Sequence, residues 1–166
     1  MFEKHDFDKN RIEAEVINDE FGELQKEFIE DMTKNAERAC KTYNEMFTNA
    51  LDYSINSLLY VDELLEHFHR KKHDLDKKTK SDIIGKAGSY IFEVARRNFG
   101  GKYYWFDDYD QPILVTGQPN FEISIIAFNK VRMRIDNGND DNILSYFKAY
   151  EERIKRGRLG DKVLIT

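Results

Sequence analysis

Glu93, Arg96 and Arg97 stand at i, i+3 and i+4 of one helical neighbourhood. A carboxylate beside two guanidiniums can bind or orient a charged partner. As an exposed ion pair the group contributes only about 0.3–0.5 kcal/mol. The arginines keep the glutamate ionised, which suits holding a cation or orienting a substrate better than general acid work. Tyr104 and Trp105 follow closely. A pocket between the helix of Glu93 and the strands after it would take Glu93, Arg96, Arg97, Tyr104 and Trp105 as binding residues.

Other chemistry-bearing residues read as structural. His69 and His73 share a helix face, whereas His67 projects about 200° away from His69 and lysines intervene. No metal and no cofactor is expected from that spacing. Asp107, Asp108 and Asp110 lack the glycine and terminal glutamate of a calcium loop and read as a hairpin turn. Cys40 has no nucleophile signature around it and reads as a small packing residue. There is no phosphate loop, dinucleotide fingerprint or nucleophile elbow, so no catalytic constellation is recognisable.

Ile84-Gly85-Lys86-Ala87-Gly88-Ser89-Tyr90-Ile91 fits the I-G-x-x-G-x-x-I signature of KH domains, in which a GxxG loop clamps a nucleic-acid backbone. Three features oppose that reading. The apolar periodicity runs through Gly85 and Gly88 into Val94 as one helix, and Lys77 to Asp82 is too polar for the strand and helix that should precede the loop. The chain also carries a net charge of −5, the wrong sign for a backbone binder. A KH-like site at Gly85–Gly88 stands as an alternative, and nucleic acid is not the expected partner.

The elements that must position these residues follow from periodicity and caps. After Asn18-Asp19, the residues Phe21, Leu24, Phe28, Met32, Ala36, Ala39, Tyr43, Met46 and Ala50 recur every three or four positions. They predict a helix over 18–50, a rod of about 45 Å whose apolar face needs a partner, within the chain or in a homodimer. Ser54 caps a second helix, reaching about residue 70. The run from Arg70 to Lys78 reads as a solvated connection. Thr79 and Asp82 approximate a capping box for a third helix over 80–99, ended by Gly100-Gly101. Strands are predicted over 102–106, from Pro112 to Thr116, and from Phe121 to Phe128. Helices over 129–135 and about 140–154 follow, and the tail to Thr166 adds an edge strand. The fold class is α+β: a small antiparallel sheet covered by the helices at 54–70 and 80–99. Residues 1–17 read as a flexible segment and 18–166 as one domain, with 51–166 its core.

Composition narrows the class further. The chain has 166 residues, 40% hydrophobic and 34% charged, with 2 prolines and 9 glycines, which excludes collagen-like and disordered readings. Apolar runs are too short to span a membrane. The first residues lack the parts of a signal peptide, and a single cysteine suits a reducing compartment, so a cytoplasmic location is expected. Charge is uneven: residues 1–31 hold eleven acids against four Lys/Arg, while residues 66–102 hold ten Lys/Arg against five acids.

Two stretches share a pattern, Leu51-Asp52-Tyr53-Ser54-x-x-Ser57-Leu58-x-x-Val61-Asp62-x-Leu64-Leu65 and Gly88-x-Tyr90-Ile91-x-Glu93-Val94-x-Arg96-Arg97-Asn98-x-Gly100-Gly101-x-x-x-Trp105. Together they resemble a family of small, uncharacterised bacterial proteins, a domain of unknown function. The resemblance spans about residues 50–150. It differs in placing the aromatic two positions later than the tryptophan expected after the glycine pair. It implies an architecture and no particular reaction. With the acidic arm and the missing catalytic constellation, the expected function is non-enzymatic protein binding, accessory or immunity-like, toward a basic surface. A small-ligand domain or enzyme with its pocket near Glu93 and Trp105 is the alternative.

Overall fold

The computed structural model describes residues 14–166, with side-chain surroundings from Phe21 onward. Helix α1 spans Ala14–Phe47 and buries Phe28, Met32, Ala36, Ala39 and Tyr43, spaced by four, four, three and four. That stripe lies on α3, which spans Lys77–Phe99. Each large side chain buried there contributes about 1.5–3 kcal/mol. The long helix therefore finds its apolar partner inside the chain.

Its limits differ from those predicted. The helix opens at Ala14, ahead of Asn18-Asp19, so the expected flexible segment 1–17 overlaps it over residues 14–17, and its remainder lies outside the described residues. The helix stops at Phe47 because Thr48 and Asn49 take positive φ values of 54° and 61°. The Asn44 side chain then holds the next turn, accepting from Leu51 N–H at 2.8 Å. Met46, counted in the apolar stripe, is 57% exposed.

Ser54 caps a 3-10 turn at Ile55–Ser57, which leads into α2, Leu58–Arg70. Helix α3 starts at Lys77, three residues before the predicted start. Its cap is Asp76, which accepts from Thr79 N–H at 2.7 Å, rather than the Thr79/Asp82 pair. Gly100 and Gly101, with φ of 75° and 123°, turn the chain from α3 into the sheet.

Strands β1 (Lys102–Phe106), β2 (Gln111–Thr116) and β3 (Glu122–Ile125) pair antiparallel in chain order. Strand β3 ends three residues before the predicted limit. The apolar run Ile126-Ala127-Phe128 turns into α4, Ala127–Asn137, where Lys130 N–H reaches Ile126 O. A short apolar run does not by itself say strand or helix. Helix α5, Ile143–Lys155, leads to β4, Lys162–Ile165. The helical crossover brings β4 in parallel to β3, so the sheet is mixed rather than wholly antiparallel.

Tyr103, Leu114, Ile123 and Ile125 face the helical core. Ile113, Val115 and Ile126 form a second cluster with Tyr104, Phe106 and Leu164. Helices α3, α4 and α5 pack on the sheet, and α1 flanks β1. Helix α2 lies against α4 and α5 instead of on the sheet as predicted. The fold is α+β. No described helix is long and apolar enough to cross a membrane.

Candidate functional site

Glu93 is fully buried, so the expected exposed ion pair is an interior one. Arg96 grips it with two bonds, Nε to Oε2 at 2.7 Å and Nη2 to Oε1 at 2.9 Å. Thr33 of α1 donates to Oε1 at 2.9 Å, Tyr103 of β1 donates to Oε2 at 3.0 Å, and Arg97 Nε lies 3.5 Å from Oε1. Burial alone would raise the carboxyl pKa. The Arg96 bonds, with those from Thr33 and Tyr103, outweigh it and hold Glu93 below its ordinary value. Both oxygens are occupied by groups of the protein. The cluster ties α1, α3 and β1 together and leaves no position for a ligand on Glu93.

The five predicted binding residues are thus partly assembled. Glu93, Arg96 and Arg97 come together. Tyr104 turns to the other face of the sheet, where its hydroxyl donates to Gln118 Oε1 at 2.9 Å. Trp105 pairs in register with Pro112 and returns by alternation to the Tyr103 side. Tyr103, passed over in the sequence, is the residue that meets Glu93. Residue type does not separate it from Tyr104; only strand phase does. The predicted space between α3 and the sheet is filled, with Tyr103 packed edge-on to Phe92 and stacked on Phe28.

The two halves of the sequence pattern touch. The Tyr90 hydroxyl accepts from Tyr53 N–H at 2.9 Å and bonds Ser57 Oγ at 2.6 Å. Burial pushes this phenol up to about 12. The Arg97 guanidinium lies 3.6 Å from the centre of the Tyr53 ring, and Asn98 donates to Tyr53 O at 3.1 Å. These contacts fix the turn before α2 onto α3.

A second polar group was invisible in the sequence because its members are far apart along the chain. Buried Asp62 on α2 accepts from Arg134 Nε at 2.9 Å and Nη2 at 3.1 Å, from Asn142 Nδ2 at 3.1 Å and from Ile143 N–H at 2.9 Å. Arg134 is 2% exposed and donates through Nη1 to Glu66 at 2.9 Å. Arg70 meets the other oxygen of Glu66 at 3.0 Å. The two guanidiniums, Arg134 first, hold the Glu66 carboxyl below its ordinary value. Beside them Lys130 and Asp141 pair at 2.8 Å. Above this floor opens a cleft of about 480 Å³ lined by Asp62, Glu63, Glu66, His67, Arg70, Arg134 and Asn139.

Gly85–Gly88 is interior to α3. No loop is present there to clamp a nucleic acid. His69 Nδ1 is bonded to Ile135 O at 2.8 Å, and His67 and His73 are exposed. Among the described residues, no group of three or more His, Cys, Asp or Glu converges to hold a metal ion. Asp107–Tyr109 forms the turn between β1 and β2. Cys40 lies 3.6 Å from Leu51 O, and burial pushes its thiol up, which keeps it protonated.

No family model, curated protein or solved structure matches this chain.

Proposed function

We propose that the protein is a non-enzymatic binding protein of bacterial type, accessory or immunity-like, that acts in the cytoplasm and masks a basic partner protein with the outer face of α1. One observation carries this reading. Glu27, Glu30 and Asp31 are exposed on α1 and have no cation within ion-pair distance among the described residues. The opposite side of the same helix is buried on α3. The interior carboxylates Asp62, Glu93 and Asp141 are by contrast each matched by Arg or Lys. Among the described residues, the outer face of this helix thus carries unmatched negative charge. A homodimer through α1 has less support, because its apolar stripe is already covered.

Complementary charge of this kind speeds association and selects partners, and it fades as salt screens it. The test is affinity capture from the native host with the wild-type chain and with Glu27→Lys/Glu30→Lys/Asp31→Lys. A basic protein should be retained at low salt, released at high salt and absent with the variant. Capture that ignores both salt and the variant, or no captured protein at all, would overturn the proposal.

A further inference from the structure

We infer that the cleft over Asp62 is a binding site for a guanidinium or ammonium group, with Glu63 as the carboxylate that meets it. The cleft lies between α2, α4 and the turn at Gly138–Asp141. Its volume of about 480 Å³ falls within the range of roughly 300–1,000 Å³ typical of small-ligand sites.

The charges that line it do not cancel. Arg134 is matched by Asp62, and Arg70 by Glu66. Glu63 is exposed, and no cation lies within ion-pair distance of it among the described residues. A single negative charge is therefore left on the cleft wall, with His67 one turn further along α2.

The floor cannot rearrange to neutralise that charge. Arg134 is buried and bonded to two carboxylates, while Asp62 holds four donors, one of them the first N–H of α5. Withdrawing either group would strand a buried charge. Arg134 is engaged through all three of its nitrogens, and Arg70 is held to Glu66 through Nε alone, so an anionic ligand would have only that exposed guanidinium to meet, with Glu63 against it. A cationic group meets an unmatched carboxylate instead, beside the His67 and Asn139 side chains. The same chemistry is offered by a free alkylamine or alkylguanidine and by a Lys or Arg side chain of another protein.

Titration calorimetry with agmatine and with a blocked tetra-arginine peptide tests the site, with glutarate as the anionic control. At least one cation should bind saturably. Binding should weaken by about tenfold or more in Glu63→Gln, as expected for loss of a charged hydrogen bond. The unliganded melting temperature should not change, because among the described residues Glu63 supports no other group. Binding of agmatine would assign the site to a free small molecule, and binding of the peptide alone to a protein side chain. The Glu27→Lys/Glu30→Lys/Asp31→Lys chain should keep this binding, which separates it from the α1 proposal. No binding by either cation, undiminished affinity in Glu63→Gln, or equal binding of glutarate would each overturn the inference.

Discussion

Asp62 and Arg134, 72 positions apart in the chain, form a bidentate ion pair whose carboxylate also receives the first N–H of α5. One side chain of α2 thereby fixes α4 through a guanidinium and α5 through its N-terminus. The glutamate at 66 completes the arginine's coordination, and Asn142, the cap of α5, reaches the same aspartate.

Breaking that pair from one side is therefore expected to be severe. Arg134→Leu leaves Asp62 buried without its cation, a loss of about 3–5 kcal/mol. Replacing both partners with apolar residues should recover part of the loss, although Ile143 N–H and the Asn142 amide then lose their acceptor. Urea unfolding of the two variants measures the difference. Equal stability of the single and double replacements would show that the stranded charge is not the cause.

Acid should destabilise the fold in a defined window. Glu93, Glu66 and Asp141 are all held below their ordinary values of 4.5, 4.5 and 3.8. A lowered carboxyl contributes stability that is complete above the unfolded-state value and is lost as pH falls toward the folded one. The melting temperature should thus hold from neutral pH down to about 5 and fall below about 4.5. Glu93→Gln should start from a lower melting temperature at pH 7 and lose less on further acidification. A variant whose acid slope equals that of the wild type would remove Glu93 from the account.

The two glycines of the KH-like motif should respond oppositely to alanine. A Cβ at Gly85 meets nothing within 4 Å, so Gly85→Ala should gain up to about 1 kcal/mol from helix propensity alone. A Cβ at Gly88 would lie 2.2 Å from Phe128 Cδ1 and 3.3 Å from its Cα, so the aromatic ring and the start of α4 must shift. Overpacking of this kind costs about 1–3 kcal/mol, more than the propensity gain. Thermal denaturation of the pair gives the sign in each case, and a destabilised Gly85→Ala would mean that its surroundings are closer than described.

The sequence made most of the elements readable and few of the tertiary partners. The stripe from Phe28 to Tyr43 has the helical period, and Gly100-Gly101 marks the turn into the sheet, because both signals are local. The Asp76 cap was hidden within a run of charged residues where Thr79 and Asp82 offered a similar pattern. The parallel placement of β4 depends on a crossover through two helices, which no local signal encodes. Glu93, Arg96 and Arg97 were legible as a group by their spacing, but not as a buried one. The partners Thr33 and Tyr103 come from other elements. Asp62 and Arg134 share no local pattern at all; only the packing of α2 on α4 brings them into contact.

Tyr103 and Tyr104 give a direct test of strand phase. Tyr103→Phe removes one of the donors that keep Glu93 ionised in the interior, a loss of about 1–3 kcal/mol. Among the described residues, Tyr104→Phe removes a partly buried bond to Gln118, worth about 0.5–1.5 kcal/mol. The Tyr103 variant should also carry a less depressed Glu93 carboxyl, visible as an acid transition displaced to higher pH. If Tyr104→Phe proved the more damaging, the assignment of faces would be reversed.

Gln25 on α1 treats the outer edge of β1 as a neighbouring strand would. Its amide oxygen accepts from Tyr103 N–H at 2.9 Å, and its amide nitrogen donates to Tyr103 O. One side chain thus occupies both backbone groups of a residue that would otherwise offer an open edge to another chain. Gln25→Ala would leave this donor and acceptor without their partner, at about 1–3 kcal/mol if water does not replace it. Gln25→Glu keeps an acceptor for Tyr103 N–H but sets a carboxylate oxygen against Tyr103 O, so it should rescue only part of the loss. Native-state hydrogen exchange reads this at a single amide: that of Tyr103 should exchange faster in both variants, and more so in the alanine one. Protection unchanged in Gln25→Ala would mean that the edge of β1 is closed by something other than this side chain.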